Sequence, residues 1–430
     1  MRQVTRLRGR TRVVRGGALT LFSSLISLTA CAASNQVRSH DQPGIVACTK
    51  PKENGTFVRP TPVVQAGGSK RVARFENAVR WNGGTAIVGM DMPHFGERVS
   101  DSLLFAYHGA NLGAPSFSGW FAVPRVTASD STLTLMWGEP ADTTPRKLAF
   151  APNRLRTLWT SSYAPRVGWT APEKLVAASD ISWAAGSLMS GKTGRPQMAV
   201  PVLLDGTRQP IVLYVTRDAK SWREVRVPGT EGAVFSALAE ARDGTIVLAF
   251  VATDTSLSLD ESSLFIAASS NSGATWSTPQ LITHGGVRDP VVLFGPDDQL
   301  HVLWRQIALR EGGADVIRHV AAQTLSRDIV WSKSSDLLAR PGFFRFTSVI
   351  DVCGTIHVVY EDWHGGEAGD VDYASFRDGV WSEPVHVLPG WLTVDPFLMI
   401  GDRGEVSLFL LGRRGTTPQA RLMNYQLVLE

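Results

Sequence analysis

What the chain has little of narrows the choices first. It holds three cysteines and nine scattered histidines in 430 residues, and no Cys/His cluster has zinc spacing, so neither a metal nor another cofactor is expected. Long apolar runs are missing as well. Ala18-Leu19-Thr20-Leu21-Phe22 and Leu25-Ile26 are too short to remain in a bilayer as a permanent helix. An excess of one charge is absent from most of the chain: residues 1–30 carry six arginines and no acid, which leaves 37 Lys+Arg against 39 Asp+Glu elsewhere, a net −2. The basic character belongs to the leader. Acids and bases are interspersed in the remainder, which excludes a nucleic-acid footprint. No shift in composition marks a second domain between residues 57 and 430.

Residues 1–30 read as a processing signal, with a basic start (Arg2, Arg6, Arg8, Arg10, Arg12, Arg15) followed by the short apolar stretch. The sequence Leu28-Thr29-Ala30-Cys31 then resembles the bacterial lipoprotein lipobox, in which cleavage falls before a lipid-modified cysteine. That resemblance implies lipidation of Cys31 and attachment to a bacterial membrane, facing the periplasm or the cell surface. Each buried acyl CH₂ adds about 0.8 kcal/mol of membrane affinity. Ala32 follows Cys31, so no Asp stands there to suggest retention at the inner membrane. Residues 31–56 are polar and read as a tether. In an exported, oxidising compartment Cys48 and Cys353 either form a disulfide that ties the tether to the folded region or stand as two lone thiols.

Repetition organises the rest. Trp169, Trp222, Trp276, Trp331 and Trp381 are separated by 53, 54, 55 and 50 residues, and each precedes a short β-prone run. A second column of turns lies at Gly84, Ser131, Gly194, Gly244, Asp298, Gly354 and Gly404, flanked by apolar β runs. Two hairpins in about fifty residues make a four-stranded blade. The expected fold is an all-β propeller of such blades over residues 57–430, seven by the turn count, with the last blade taking an outer strand from Phe57–Val64. Six residues after each turn lie Met90, Trp137, Val200, Phe250, Trp304, Tyr360 and Leu410. An apolar column in every repeat is expected to pack blade against blade.

The stretch Ser269-Ser270-Asn271-Ser272-Gly273-Ala274-Thr275-Trp276 has the physical marks of a turn held by its own side chains. Asn271 is placed to bond nearby backbone N–H groups, Gly273 to supply a positive φ, and Trp276 to open the next strand. With Ser269, Asn271, Gly273, Thr275 and Trp276 in place, it resembles the Asp-box, or bacterial neuraminidase repeat, of sialidase-type propellers. That resemblance implies a propeller, makes six blades the alternative count, and assigns the Asp-box residues a structural role.

Any site is then expected on the opposite rim, where inner strands start and second strands end. Arg74 and Arg288 lie ten positions before their turns and Arg345 nine before its own, and Asp289 and Asp395 stand beside this level. These three arginines look like the triad with which sialidases clamp a substrate carboxylate. At the second-strand exits stand Asp91, Glu139, Asp254, Arg305, Glu361, Asp362 and Arg413. The resemblance implies Asp91 as acid and Tyr360 with Glu361 as nucleophile and base. The ligand-free alternative for Arg288 and Asp289 is an ion pair between blades. The family's early Phe-Arg-Ile-Pro signature is met only by Phe57-Val58-Arg59-Pro60, with Arg one place late, and only one Asp-box is intact. The expected function is an exported, lipid-anchored, sialidase-like propeller that binds a glycan or a cell-surface protein without catalysis. The alternative is an exo-acting glycoside hydrolase that removes terminal sialic acid or a similar acidic sugar.

Overall fold

The computed structural model describes residues 56–61, 74–90, 99–100, 103–107, 110–140, 155–218, 221–253, 259–308, 314–323, 329–338, 343–362, 370–387, 391–401, 404–414 and 421–428. Among them the fold is nearly all β, broken only by the short 3₁₀ turns Trp183–Ala185 and Leu259–Glu261. The strands run as consecutive antiparallel meanders in six sheets, one of which has ten strands and joins two meanders. The innermost strands are Arg74–Trp81, Phe121–Ala128, Ser187–Ser190, Ala233–Glu240, Val287–Phe294, Phe343–Ile350 and Trp391–Ile400, which number the meanders one to seven below. Each innermost strand touches the next, and the last touches the first. The sheet of meander seven is completed from the far end of the chain, where Thr56–Thr61 pairs with Arg421–Val428.

The turn column marks seven inner hairpins, and five share one geometry. Gly191, Ala241, Gly295, Asp351 and Gly401 each donate N–H to the carbonyl four residues on and accept a bond from the N–H three residues on. That closure forces a left-handed residue at Gly194, Gly244, Asp298, Gly354 and Gly404, with φ between 61° and 88°. In meander one the tight turn is Asn82-Gly83, both left-handed, between Trp81 and Gly84.

The apolar column is core. Met90, Trp137, Val200, Phe250, Trp304, Tyr360 and Leu410 are all buried, each worth about 1.5–3 kcal/mol in burial for the larger side chains. The tryptophan column is followed by a clip not anticipated from the sequence. In meanders two, four, five and six the residue after Trp, namely Thr170, Ser277, Ser332 or Ser382, donates its N–H to a carbonyl of the third strand. Its hydroxyl accepts the N–H of that same third-strand residue, at 2.9–3.0 Å. One side chain thereby stands in for a ladder rung.

The Ser269–Trp276 turn is self-held as expected. Asn271 Oδ1 accepts from Thr275 N–H at 2.9 Å and from the Ser269 hydroxyl at 3.0 Å, while Gly273 N–H donates to Ser269 Oγ. Trp276 does not open the next strand, which begins only at Gln280. Its ring packs edge-on against Tyr214 of meander three, 5.3 Å away, so cross-meander packing claims the residue before pairing resumes. Cys353 is disulfide-bonded, which removes the lone-thiol alternative for it. Its partner lies outside the described residues, as Cys31 and Cys48 both do.

Candidate functional site

Innermost strands start on the face opposite the hairpin turns, and a β-bulge interrupts most of them close to that start. In meander five the bulge lies between Arg288 and Val291 and contains Asp289-Pro290, with Asp289 left-handed at φ 49°. The bulge turns one residue out of the alternation and re-aims it. Meander two builds the same feature between Ala122 and Arg125, with Val123 left-handed at φ 47° and Pro124 after it. Val123 is buried. The backbone therefore makes this bulge without a carboxylate.

Three strands carry guanidinium groups that act on Asp289. Arg288 stands opposite Arg305 in the strand register, and Arg345 stands opposite Glu361 in the neighbouring meander, whose innermost strand touches that of meander five. Burial raises the Asp289 carboxyl above the ordinary carboxylate range; Arg305, Arg345 and Arg288 pull the other way without cancelling it. Asp289 nonetheless keeps partial solvent access.

The partners separate structural charges from available ones. Arg305 is spent on Asp315, with Nε at 2.8 Å and Nη2 at 2.5 Å, and Asp315 also accepts the Ala308 N–H at 2.9 Å. Arg125, on the meander-two bulge, donates to the Gly186 and Ala184 carbonyls and lies 4.7 Å over the Trp183 ring. Among the described residues the side chains of Arg288 and Asp289 form no hydrogen bond and no ion pair within 4.0 Å, and the buried Nε of Arg288 has no acceptor. The ligand-free ion pair between blades is not made. The strand beneath them is fixed: the Ser262 hydroxyl donates to the Val287 carbonyl at 2.9 Å and accepts the Val287 N–H at 2.7 Å. Ser262 is fully buried, and no repeat pattern pointed to it.

The other sequence candidates fall as follows. Arg74 is the first residue of its strand, opposite Met90, and its side chain lies outside the described residues. Asp91, Asp254 and the side chains of Asp362, Asp395 and Arg413 are likewise outside them. Glu139 accepts the Trp159 indole N–H at 2.9 Å. Glu361 is buried at the rim, opposite Arg345. Tyr360, read as a nucleophile, is 1% exposed and packs with Leu303, Ile317 and Phe346. That burial corrects the reading: strand alternation turns Tyr360 into the core and Glu361 to the opposite side. Among the described residues no group of His, Cys, Asp and Glu could hold a metal ion. A cavity of about 1200 Å³ opens beside the Ser269–Trp276 turn, lined by Asp243, Ser270, Gln280, Phe294 and Asp298. It is on the hairpin-turn face, away from the arginines, and the convergent charges rather than the void mark the site.

No family model matches the chain, and no curated protein matches it. The sialidase resemblance thus has no support from sequence comparison. Solved structures do match. A protein of unknown function from Dyadobacter fermentans is 12% identical over 71% of this chain and 94% of its own, with a TM-score of 0.50. A polysaccharide lyase matches at 11% identity over 91% and 96%, with a TM-score of 0.49. An α-L-arabinofuranosidase from Fusarium graminearum matches at 11% over 87% and 99%, at 0.45. Glycoside hydrolases and polysaccharide lyases thus stand among the similar structures, and likeness at this level carries no function over.

Proposed function

We propose that this chain is an exported, lipid-anchored propeller of seven four-stranded blades whose rim at Arg288, Asp289 and Arg345 holds an acidic glycan without cleaving it. Seven meanders, contact between the first and last innermost strands, and pairing of Thr56–Thr61 with Arg421–Val428 support a closed ring of that count. The lipobox-like Leu28-Thr29-Ala30-Cys31 supports the anchor. The single observation behind ligand binding is the unspent donor: Arg288 presents a guanidinium with a buried, unpaired Nε–H beside two further guanidiniums. A buried donor left without an acceptor costs about 1–3 kcal/mol, which an anionic ligand would recover. The burial of the Tyr360 ring in the core supports a rim that binds without cleaving.

A second reading, an exo-acting glycoside hydrolase, draws on Asp289, whose raised pKa suits a proton donor. One experiment separates the two. Detergent-solubilised full-length protein is titrated with 3′-sialyllactose, digalacturonate and lactose, then incubated with fluorogenic sialosides and uronides. Binding of an acidic sugar, lost in Arg288→Ala, with no product released supports the binding reading. Turnover abolished by Arg288→Ala replaces it with the enzyme.

A further inference from the structure

The tryptophan column seats on a ring in three seams between meanders and on an aliphatic side chain in another. Trp169, Trp276 and Trp381 stand edge-on to Phe105, Tyr214 and His319 on the third strand of the preceding meander, with centroids 5.0, 5.3 and 6.4 Å apart. His319 lies two residues before Ala321, the residue clipped by the Ser332 hydroxyl. The same count from Ala268, clipped by Ser277, arrives at Ile266, which shares an apolar cluster with Trp331. A branched aliphatic chain thus takes the place of the ring between meanders four and five, and two alanines, Ala267 and Ala268, follow it. The cavity of about 1200 Å³ opens at this seam, with Ile266 on one wall and Phe294 and Ile329 of meander five on the other. The opening coincides with the smaller side chain in a repeated position of an otherwise close-packed fold.

We propose that this seam is a second binding site, on the face opposite the arginine rim, and that its ligand is a neutral oligosaccharide. The wall of Ile266, Phe294 and Ile329 offers the apolar surface that the C–H faces of sugar rings cover, and Leu281, 43% exposed, extends it. Fixed acceptors stand beside that wall. Asp243 Oδ1 accepts the Thr245 N–H at 2.8 Å, which holds the carboxylate in place. A carboxylate has about four lone-pair sites, so capacity remains there for ligand hydroxyls. Asp298, which also lines the cavity, is already balanced: its Oδ1 accepts the Arg242 N–H at 3.0 Å and lies 4.0 Å from Arg242 Nε. That pairing argues against a cationic ligand. Ser270 and Gln323, both exposed, add a hydroxyl and an amide. An apolar wall with a few fixed polar groups is the make-up of a small-molecule site, and the volume here exceeds the roughly 300–1,000 Å³ usual for one. Several linked rings fit it better than one.

The test is calorimetric titration of detergent-solubilised full-length protein with cellotriose, maltotriose, triacetylchitotriose and a tetralysine peptide. Binding of at least one trisaccharide is expected. Asp243→Asn, a change on a solvent-exposed turn that keeps the acceptor for Thr245, is expected to weaken it about tenfold, one hydrogen bond to a charged group. Ile266→Tyr, which restores the ring found in three other seams, is expected to abolish it by filling the cavity; if that variant fails to fold, Asp243→Asn decides. Arg288→Ala is expected to bind the trisaccharide as wild type does, whatever the rim itself holds. Failure of all three trisaccharides overturns the proposal. Binding that Asp243→Asn and Ile266→Tyr leave unchanged, or that Arg288→Ala removes, places the sugar elsewhere and overturns the seam site. Binding of tetralysine in place of the sugars overturns the ligand class.

Discussion

Gly273 sits on the ring of Tyr214: a Cβ built at Gly273 would lie 2.1 Å from Tyr214 Cε1. The self-held turn of meander four is thus seated on an aromatic of meander three, and Trp276 closes over the same ring from its edge. Burial pushes the Tyr214 hydroxyl up to about 12, and that hydroxyl donates to Gln197 Oε1 at 3.0 Å.

Gly273→Ala is therefore expected to destabilise by about 1–3 kcal/mol from overpacking alone, with strain at φ 77° added. Tyr214→Phe removes one hydrogen bond and is expected to cost about 1 kcal/mol. Denaturant unfolding of both variants measures the difference. If Gly273→Ala unfolds at the wild-type midpoint, the turn does not seat on Tyr214.

The hydroxyl clips predict a repeated and separable effect. Ser277→Ala, Ser332→Ala and Ser382→Ala each leave one third-strand N–H without its acceptor and are expected to cost about 1 kcal/mol apiece. Because the clips lie in different meanders their costs should add. Valine in place of serine, which keeps bulk and removes the acceptor, should cost at least as much.

Acid should destabilise the fold through a buried pair. His319 stacks on His301, bonds it at 3.0 Å, and bonds Ser335 at 3.2 Å. Burial, with the neighbouring His301, lowers its pKa from 6.5 to about 3. The unfolded chain therefore binds the extra proton between those values, and stability present above about pH 6.5 is lost as pH falls through that window. His319→Gln should flatten the acid limb of a plot of Tm against pH. An unchanged limb would place the acid sensitivity elsewhere.

Asp289 predicts the opposite slope. Its folded pKa is raised, so the folded state binds the proton more tightly, and stability declines as pH rises from about 3.8 through the folded value. Asp289→Asn is expected to raise Tm at neutral pH, with the gain vanishing in acid. A lower Tm at neutral pH would mean that the carboxylate is an internal counter-ion for the arginines.

Much of the fold was legible because it repeats. Turns with a left-handed residue demand Gly or Asp, and the packing column demands apolar bulk, so both recur at fixed spacing and Tyr360 could be ranked as core before any coordinates. The candidate site was legible only in part. Arg288 and Arg345 stood out by their distance before the turns, and both are among the charges that lower the Asp289 pKa. Arg305 appeared among the exits, but its commitment to Asp315 depends on a loop conformation that spacing does not encode. Ser262 was invisible for the same reason, since its two bonds to Val287 link meanders and follow no period. The position of Trp276 was missed because its attraction to Tyr214, 62 residues earlier, outweighs its strand propensity.

The pairing of Thr56–Thr61 with Arg421–Val428 sets an order on the molecule's birth. Thr56–Thr61 has no partner strand until Arg421–Val428 has been made, so the sheet of meander seven keeps an unfinished edge until the end of synthesis. Losing Arg421–Val428 would leave Thr56–Thr61 without its partner strand, so one deletion would remove two strands from the sheet.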